Sequence, residues 1–259
     1  MRVLFINTPR WHVARSSIQG LVGDMSLIQP IGMLYLSSYL KQHAEVEVAL
    51  FDYILEKKQD YAVIDDLLLS FRPDVVGLTT LTFTLYDTFR ICRHVKQNMP
   101  QAKIVLGGKH IDIYPHETLT WDCVDYLVQG EGEKPILALV QALAAGETQP
   151  EIEGLWYRRN GGVHDGGRAS RIEDLDSLPF PDVSILPSDR YGRQFTSDQR
   201  EASIISSRGC PYACAYCTSS HRKWTRWIER SPENIVQEMQ MWIDRSEERR
   251  VGKECRSRW

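Results

Sequence analysis

Residues 74–108 read DVVGLTTLTFTLYDTFRICRHVKQNMPQAKIVLGG. DVVGLTT (74–80) and KIVLGG (103–108) are short apolar runs rich in β-branched residues, the pattern of strands buried on both faces. Between them Leu85, Phe89, Cys92 and Lys96 recur on one face of a helix. Strand, helix, strand in that order predicts two parallel strands joined by a crossover.

The same alternation extends in both directions. RVLFIN (2–7) reads as a buried strand, and PIGMLYLSSYLKQH (30–43) as a helix opened by a proline in its first turn. VEVALFD (46–52) is the next strand. In YAVIDDLLLSF, Ile64, Leu67, Leu68 and Phe71 stand at helical spacing. VDYLVQG (124–130) and the helix KPILALVQALAAG complete the series. Five strands separated by helices predict an α/β fold: a doubly wound parallel sheet of the Rossmann or flavodoxin-like kind, over residues 1–150.

Ligands of such sheets sit beyond the carboxyl ends of the strands. Those ends are Asn7-Thr8-Pro9, Asp52-Tyr53, Thr79-Thr80-Leu81, Gly107-Gly108 and Gly130-Glu131-Gly132-Glu133. Glycines at two of them let a ligand approach the backbone. No GxGxxG follows the first strand and no GxxxxGK[ST] occurs, so a nucleotide fingerprint is missing.

From residue 151 to 200 the character changes. GLWYRRNGGVHDGGRAS carries hairpin signals with Asn160-Gly161 at its tip, and EDLDSLPFPDVSILPSDRY reads as a proline-rich linker at a domain boundary. His164 reads as an exposed turn residue. Residues 201–244 begin a second domain: ASIISSRG (202–209) as a strand, a cysteine loop, then Ser231-Pro232-Glu233 opening the helix PENIVQEMQMWID. One strand–loop–helix unit stands where a β/α barrel would start.

The last stretch, RSEERRVGKECRSRW (245–259), shows no helical or strand periodicity and resembles the translation of a common sequencing adapter. The expectation is that the native sequence stops at Asp244. Without the six Lys/Arg and three Glu of that stretch, the formal net charge moves from −3 to −6. An acidic body gives no electrostatic case for nucleic acid. No apolar run is long enough to span a bilayer and no export signal opens the chain, so the expected compartment is the cytoplasm.

Cys210, Cys214 and Cys217 form CxxxCxxC. Three thiolates on one short loop can wrap a single metal centre. A 4Fe-4S cluster held by three thiolates would keep one iron open. Zinc is the alternative, because His221 completes a Cys3His set. Cys92 reads as a core residue on the apolar face of its helix, and Cys123 has no thiol partner nearby in sequence. HRKWTRW (221–227) mixes basic and aromatic residues and reads as packing around a cofactor site. His12 reads as a loop residue, and His110 as either loop or ligand.

CxxxCxxC with Tyr216 before its last cysteine resembles the signature of the radical S-adenosylmethionine (radical SAM) enzymes. The resemblance implies that Cys210, Cys214 and Cys217 hold a 4Fe-4S cluster whose open iron chelates S-adenosyl-L-methionine, with Tyr216 against the adenine. No catalytic residue is implied beyond the cluster ligands. PIGMLYLSSYLKQH, PDVVGLTTLT, VLGGKH, VQGEGE and DLDSLPFP are together similar to the cobalamin-binding class of that family. Of the cobalamin pattern DxHxxG, SxL and GG, Thr79-Thr80-Leu81 matches the second part with Thr for Ser, and Gly107-Gly108 the third. The first part is absent from residues 8–29, so no histidine ligand to cobalt is assigned.

The resemblance therefore implies cobalamin on Thr79, Thr80, Leu81, Gly107, Gly108, Gly130, Glu131 and Gly132. It also implies an electron donor such as flavodoxin or ferredoxin, and a small-molecule substrate. The implied activity is methyl transfer to an unactivated carbon from methylcobalamin, and ring-forming relatives acting on tetrapyrroles are the alternative. The lack of cluster cysteines in the first domain sets the chain apart from methylthiotransferases. A zinc-stabilised binding module is the alternative of another class. With the barrel cut at Asp244, the expectation is a chain without turnover that retains cobalamin.

Overall fold

Val76 and Leu78 point to one side of a strand and Val75 to the other, and all three are buried, as a strand covered on both faces requires. The computed structural model describes residues 1–14, 29–56, 58–187, 190–191, 202–212, 214–217 and 226–254. It has β1 (Arg2–Asn7), a short α1 (Trp11–Ala14), α2 (Ile31–His43), β2 (Glu47–Asp52), α3 (Asp65–Phe71) and β3 (Val75–Thr79). These are followed by α4 (Leu85–Asn98), β4 (Lys103–Gly107), α5 (Pro115–Thr118), β5 (Tyr126–Val128) and α6 (Glu133–Ala144). The hairpin strands are β6 (Leu155–Arg159) and β7 (Gly162–Asp165), and the chain goes on to β8 (Ser207–Arg208), β9 (Ile228–Glu229) and α7 (Pro232–Glu254).

The seven-stranded sheet has the order β2-β1-β3-β4-β5-β6-β7. The first five strands run parallel, as the alternation of elements predicted. One core lies against α3 and α4, with Leu68, Ile91 and Val95 over Leu4, Ile6 and Ile104. The other lies against α2 and α6, with Met33, Leu40, Ile136 and Leu139 over Val3, Phe5 and Val105. Helices on both faces make the sheet doubly wound. Its order reverses between β1 and β3, so the crevice at their carboxyl ends is the expected ligand position.

The chain divides into two units, Met1–Arg171 with Pro181–Arg200, and Ile172–Phe180 with Glu201–Trp259. In the first, the hairpin, read from the sequence together with the linker over 151–200, joins the sheet. β6 pairs antiparallel with β5 and carries β7 on the sheet's edge, and buried Trp156 and Tyr157 belong to the two cores. Residues 181–186 are tied to α2: the Asp182 N–H donates to the Leu34 carbonyl at 3.0 Å, and Ser37 and Lys41 donate to its carboxylate at 2.6 Å each.

In the second unit the expected strand over 202–209 shrinks to Ser207–Arg208, which pairs antiparallel with β9. The residues before it are claimed by Arg230, whose N–H and guanidinium donate to the carbonyls of Ser206 (3.0 Å) and Ile205 (2.9 Å). The same guanidinium pairs with buried Glu238 and lies over the Phe180 ring. Ser231 caps α7 through Asn234 N–H at 3.1 Å, as its Ser-Pro-Glu start predicted. α7 continues past Asp244 to Glu254, where no periodicity suggested a helix. That stretch is rich in Glu, Arg and Lys, and a helix already nucleated extends through good helix formers at little cost. Among the described residues no helix is long and apolar enough to cross a membrane.

Candidate functional site

The carboxyl ends of β3 and β4 are tied by backbone hydrogen bonds. Thr80 N–H donates to the Gly107 carbonyl at 2.7 Å, and His110 N–H to the Thr80 carbonyl at 3.1 Å. Across β1, the Thr8 hydroxyl donates to the Thr79 carbonyl at 3.2 Å. Leu81 begins the turn Thr82–Thr84, where the Thr84 Oγ1 accepts its N–H at 3.1 Å.

The two glycines differ. Gly108 has φ +100°, and a Cβ there would lie 2.7 Å from the Thr80 oxygen. At Gly107 a Cβ would meet only the Val128 oxygen, at 3.8 Å. Close backbone approach thus depends on the second glycine. Beside it, two buried polar atoms lack a partner: Thr80 Oγ1 and His110 Nε2. The other imidazole nitrogen, Nδ1, stands 3.2 Å from Thr82 Oγ1. Burial pushes the His110 imidazole below the usual histidine range, against a smaller opposing pull from Glu117, so the neutral form is favoured. Orphaned buried polar atoms are costly unless something satisfies them, and this edge has two.

Gly130, Glu131 and Gly132 are engaged by the chain itself. Gly130 has φ +101°, and a Cβ on it would lie 3.0 Å from the Ala169 oxygen, while its N–H donates to Asp112 Oδ1 at 3.0 Å. Glu131 pairs with Arg171 at 3.8 Å, and Gly132 precedes α6 beside Leu36. Asp112, absent from the sequence reading, also binds Arg168 at 2.9 Å. Sequence reasoning likewise missed the pair His12 and Asp87, 2.7 Å apart.

Cys210, Cys214 and Cys217 are half-buried, form no disulfide, and lie on a loop entered through Gly209, whose φ is +94°. A turn closes with Cys217 N–H on the Cys214 carbonyl at 3.0 Å. Their sulfurs are not drawn into a ligand set: among the described residues no group of three or more His, Cys, Asp or Glu could hold a metal ion. Tyr216 is 91% exposed, so its ring is available to a ligand. His221 and most of HRKWTRW lie outside the described residues. Cys92 and Cys123, remote from the loop in sequence, are both buried and share a hydrogen bond, so Cys123 has its thiol partner across the core. Burial holds the Cys92 thiol up, which keeps it protonated.

A doubly wound sheet with two unpartnered buried polar atoms at its strand ends defines a ligand-binding fold, and the same chain carries a loop with three cysteines. A model of the B12 binding domain matches residues 25–140. The uncharacterised methyltransferase PH0819 of Pyrococcus horikoshii is 31% identical over 92% of this chain and 50% of its own length. The anaerobic magnesium-protoporphyrin IX monomethyl ester cyclase of Rubrivivax gelatinosus is 30% identical over 94% of this chain and 43% of its own. The solved radical S-adenosylmethionine methyltransferase TsrM of Kitasatospora setae, with cobalamin and a 4Fe-4S cluster bound, superposes with TM-score 0.69 at 19% identity. That superposition covers 95% of this chain and 47% of TsrM, and shows a shared fold. The chain belongs to the cobalamin-binding class of radical S-adenosylmethionine proteins. It spans about half the length of the curated relatives it matches.

Proposed function

We propose that this chain is the cofactor-binding part of a cobalamin-dependent radical S-adenosylmethionine enzyme that transfers a methyl group to an unactivated carbon. The observation that carries the reading is the β3–β4 edge, where Gly108 packs against Thr80 beside two unpartnered buried polar atoms, on the same chain as the CxxxCxxC loop. When bound, cobalamin supplies the methyl group and a 4Fe-4S cluster supplies the electron that cleaves S-adenosylmethionine.

The residues fit both groups by donor chemistry. Thr80 Oγ1 and His110 Nε2 offer a hydroxyl and an imidazole nitrogen to an amide- and phosphate-bearing ligand, and Gly107-Gly108 leave its path free of side chains. Gly130, Glu131 and Gly132 would border it at the end of the next strand. Cys210, Cys214 and Cys217 would hold three irons as thiolates, with the loop closing as it ligates. Tyr216, open to solvent, would cover the adenine. The electron would come from a small redox protein such as flavodoxin or ferredoxin. The 30% identity to a magnesium-protoporphyrin cyclase favours a second reading, oxidative ring closure on a tetrapyrrole, with the same cofactors and chain residues.

Anaerobic reconstitution with iron and sulfide tests the sulfur-ligated centre. Iron with acid-labile sulfide on the chain supports the enzyme. Stoichiometric zinc without sulfide would instead make it a zinc-stabilised binding module.

A further inference from the structure

Two thiols that the cofactor chemistry does not use meet in the core between α4 and the loop leading into β5. Cys92 is fully buried and Cys123 just reaches the surface, at 4% exposure, in one apolar cluster with Ile91, Val95 and Val124. Contacts on either side set them against each other. One helical turn before Cys92, the Phe89 ring meets Trp121 edge-on, with centroids 4.9 Å apart. One turn after it, Lys96 Nζ pairs with Asp125 Oδ2 at 2.7 Å. Residues 89, 92 and 96 share a face of α4, and 121, 123 and 125 answer them in order along the loop.

The loop is fixed independently of the helix. The Arg158 guanidinium donates to the carbonyls of Leu119 (2.6 Å), Trp121 (2.8 Å) and Val124 (2.6 Å). Asp125 is tied to β4: its N–H donates to the Ile104 carbonyl at 3.1 Å, and its carboxylate accepts the Ile104 N–H at 2.7 Å. Between these anchored segments the Cys92 S–H donates to the Cys123 sulfur. That bond brings the Cys123 thiol below its usual range, against burial and the Asp122 carboxylate, with Arg93 acting in the same direction. Burial first, and then the bond to Cys123, hold the Cys92 thiol up; Asp125 adds to this and Lys96 opposes it. The pair is unequal, with the thiolate favoured on the cysteine that reaches the surface.

We propose that Cys92 and Cys123 form a redox-modification site, closed to a disulfide by a small hydroperoxide such as hydrogen peroxide. The Cys123 thiolate attacks the peroxide and the O–O bond breaks. Cys123 becomes a sulfenic acid, and the leaving hydroxide takes up the thiol's proton as water. The Cys92 sulfur then displaces the sulfenic hydroxyl, which leaves with the Cys92 proton as a second water. The two thiols lose two electrons and the peroxide gains them. Sulfurs already in hydrogen-bond contact need only side-chain rotation to close the bond, which would join α4 to the lead of β5.

The test is peptide mapping of the full chain after treatment with hydrogen peroxide, with remaining thiols alkylated in denaturant before proteolysis. The expected product is the Cys92 peptide joined to the Cys123 peptide and released by dithiothreitol. With a sulfenic acid trap present, Cys92→Ala should be labelled at Cys123, and Cys123→Ala labelled at Cys92 about tenfold less. Alkylated thiols at both positions of the treated, unsubstituted chain would make the pair core packing alone and overturn the site. A bond from Cys123 to Cys210, Cys214 or Cys217 would overturn the pairing. Equal trapping in the two variants would overturn Cys123 as the attacking thiol.

Discussion

Gly108 and Thr80 are packed so that no side chain other than hydrogen fits between them: a Cβ on Gly108 would sit 2.7 Å from the Thr80 oxygen and 2.9 Å from its nitrogen. Both obstructing atoms are backbone, so neither can rotate away. Gly108→Ala must displace the β3 or β4 terminus, and the positive φ adds strain, for a cost of about 1–3 kcal/mol. Cobalamin affinity is expected to fall at least tenfold, while Gly107→Ala, which has room, stays within about threefold. Equilibrium titration of the two variants separates them, and equal losses would remove Gly108 from its assigned role.

His110 gives the first unit a pH dependence with a definite sign. Its folded pKa lies below the ordinary 6.5, so between the two values the unfolded chain binds a proton that the native state refuses. Stability therefore falls as pH drops below 6.5 toward the folded value. Urea denaturation at pH 7.5 and 5.5 is expected to show a smaller acid loss in His110→Gln than in the unsubstituted chain. An unchanged loss would mean that His110 ionises without penalty.

Asp182 acts in the opposite direction. Burial works against its ionisation, yet Lys41, Ser184 and Ser37 together hold the carboxyl below the ordinary 3.8. The stability it contributes is present above that value and is lost as pH falls through the folded one. Asp182→Ala is expected to cost about 1–3 kcal/mol at neutral pH by removing the anchor of residues 181–186 on α2. The difference from the unsubstituted chain should shrink near pH 3. A constant difference would locate the effect in packing instead.

Two cysteine substitutions separate chemistry from core. Cys214→Ala is expected to lose the iron and sulfide taken up on reconstitution with little change in stability, since its loop is half-exposed. Cys92→Ala should keep the iron and lose about 1 kcal/mol, because that thiol is buried against Cys123. Iron retained by Cys214→Ala would contradict the assignment of the loop.

What was legible in the sequence follows from the range of the forces involved. Strand and helix periods are local, so β1 to β5 and their crossovers could be read from runs such as DVVGLTT and KIVLGG. The Gly107-Gly108 pair was legible as a type of turn, but only the backbone of Thr80 shows which glycine is required. Pairing between distant segments was not legible. The hairpin at 155–165 was read with the linker that follows it, because its partner, β5, lies across a helix and a loop. Residues 202–209 looked like a full strand because nothing local reveals that Arg230 takes the carbonyls of Ile205 and Ser206. His12 and Asp87 stand 75 residues apart, and no spacing rule connects them.

Cobalamin binding is the measurement closest to the centre of this account. Hydroxocobalamin titrated into the purified 259-residue chain and followed by absorbance and gel filtration should saturate at one equivalent per chain. Gly108→Ala should shift that curve to higher concentration while the chain remains folded. Failure of the unsubstituted chain to retain any cobalamin, or retention by Gly108→Ala with unchanged affinity, would contradict it.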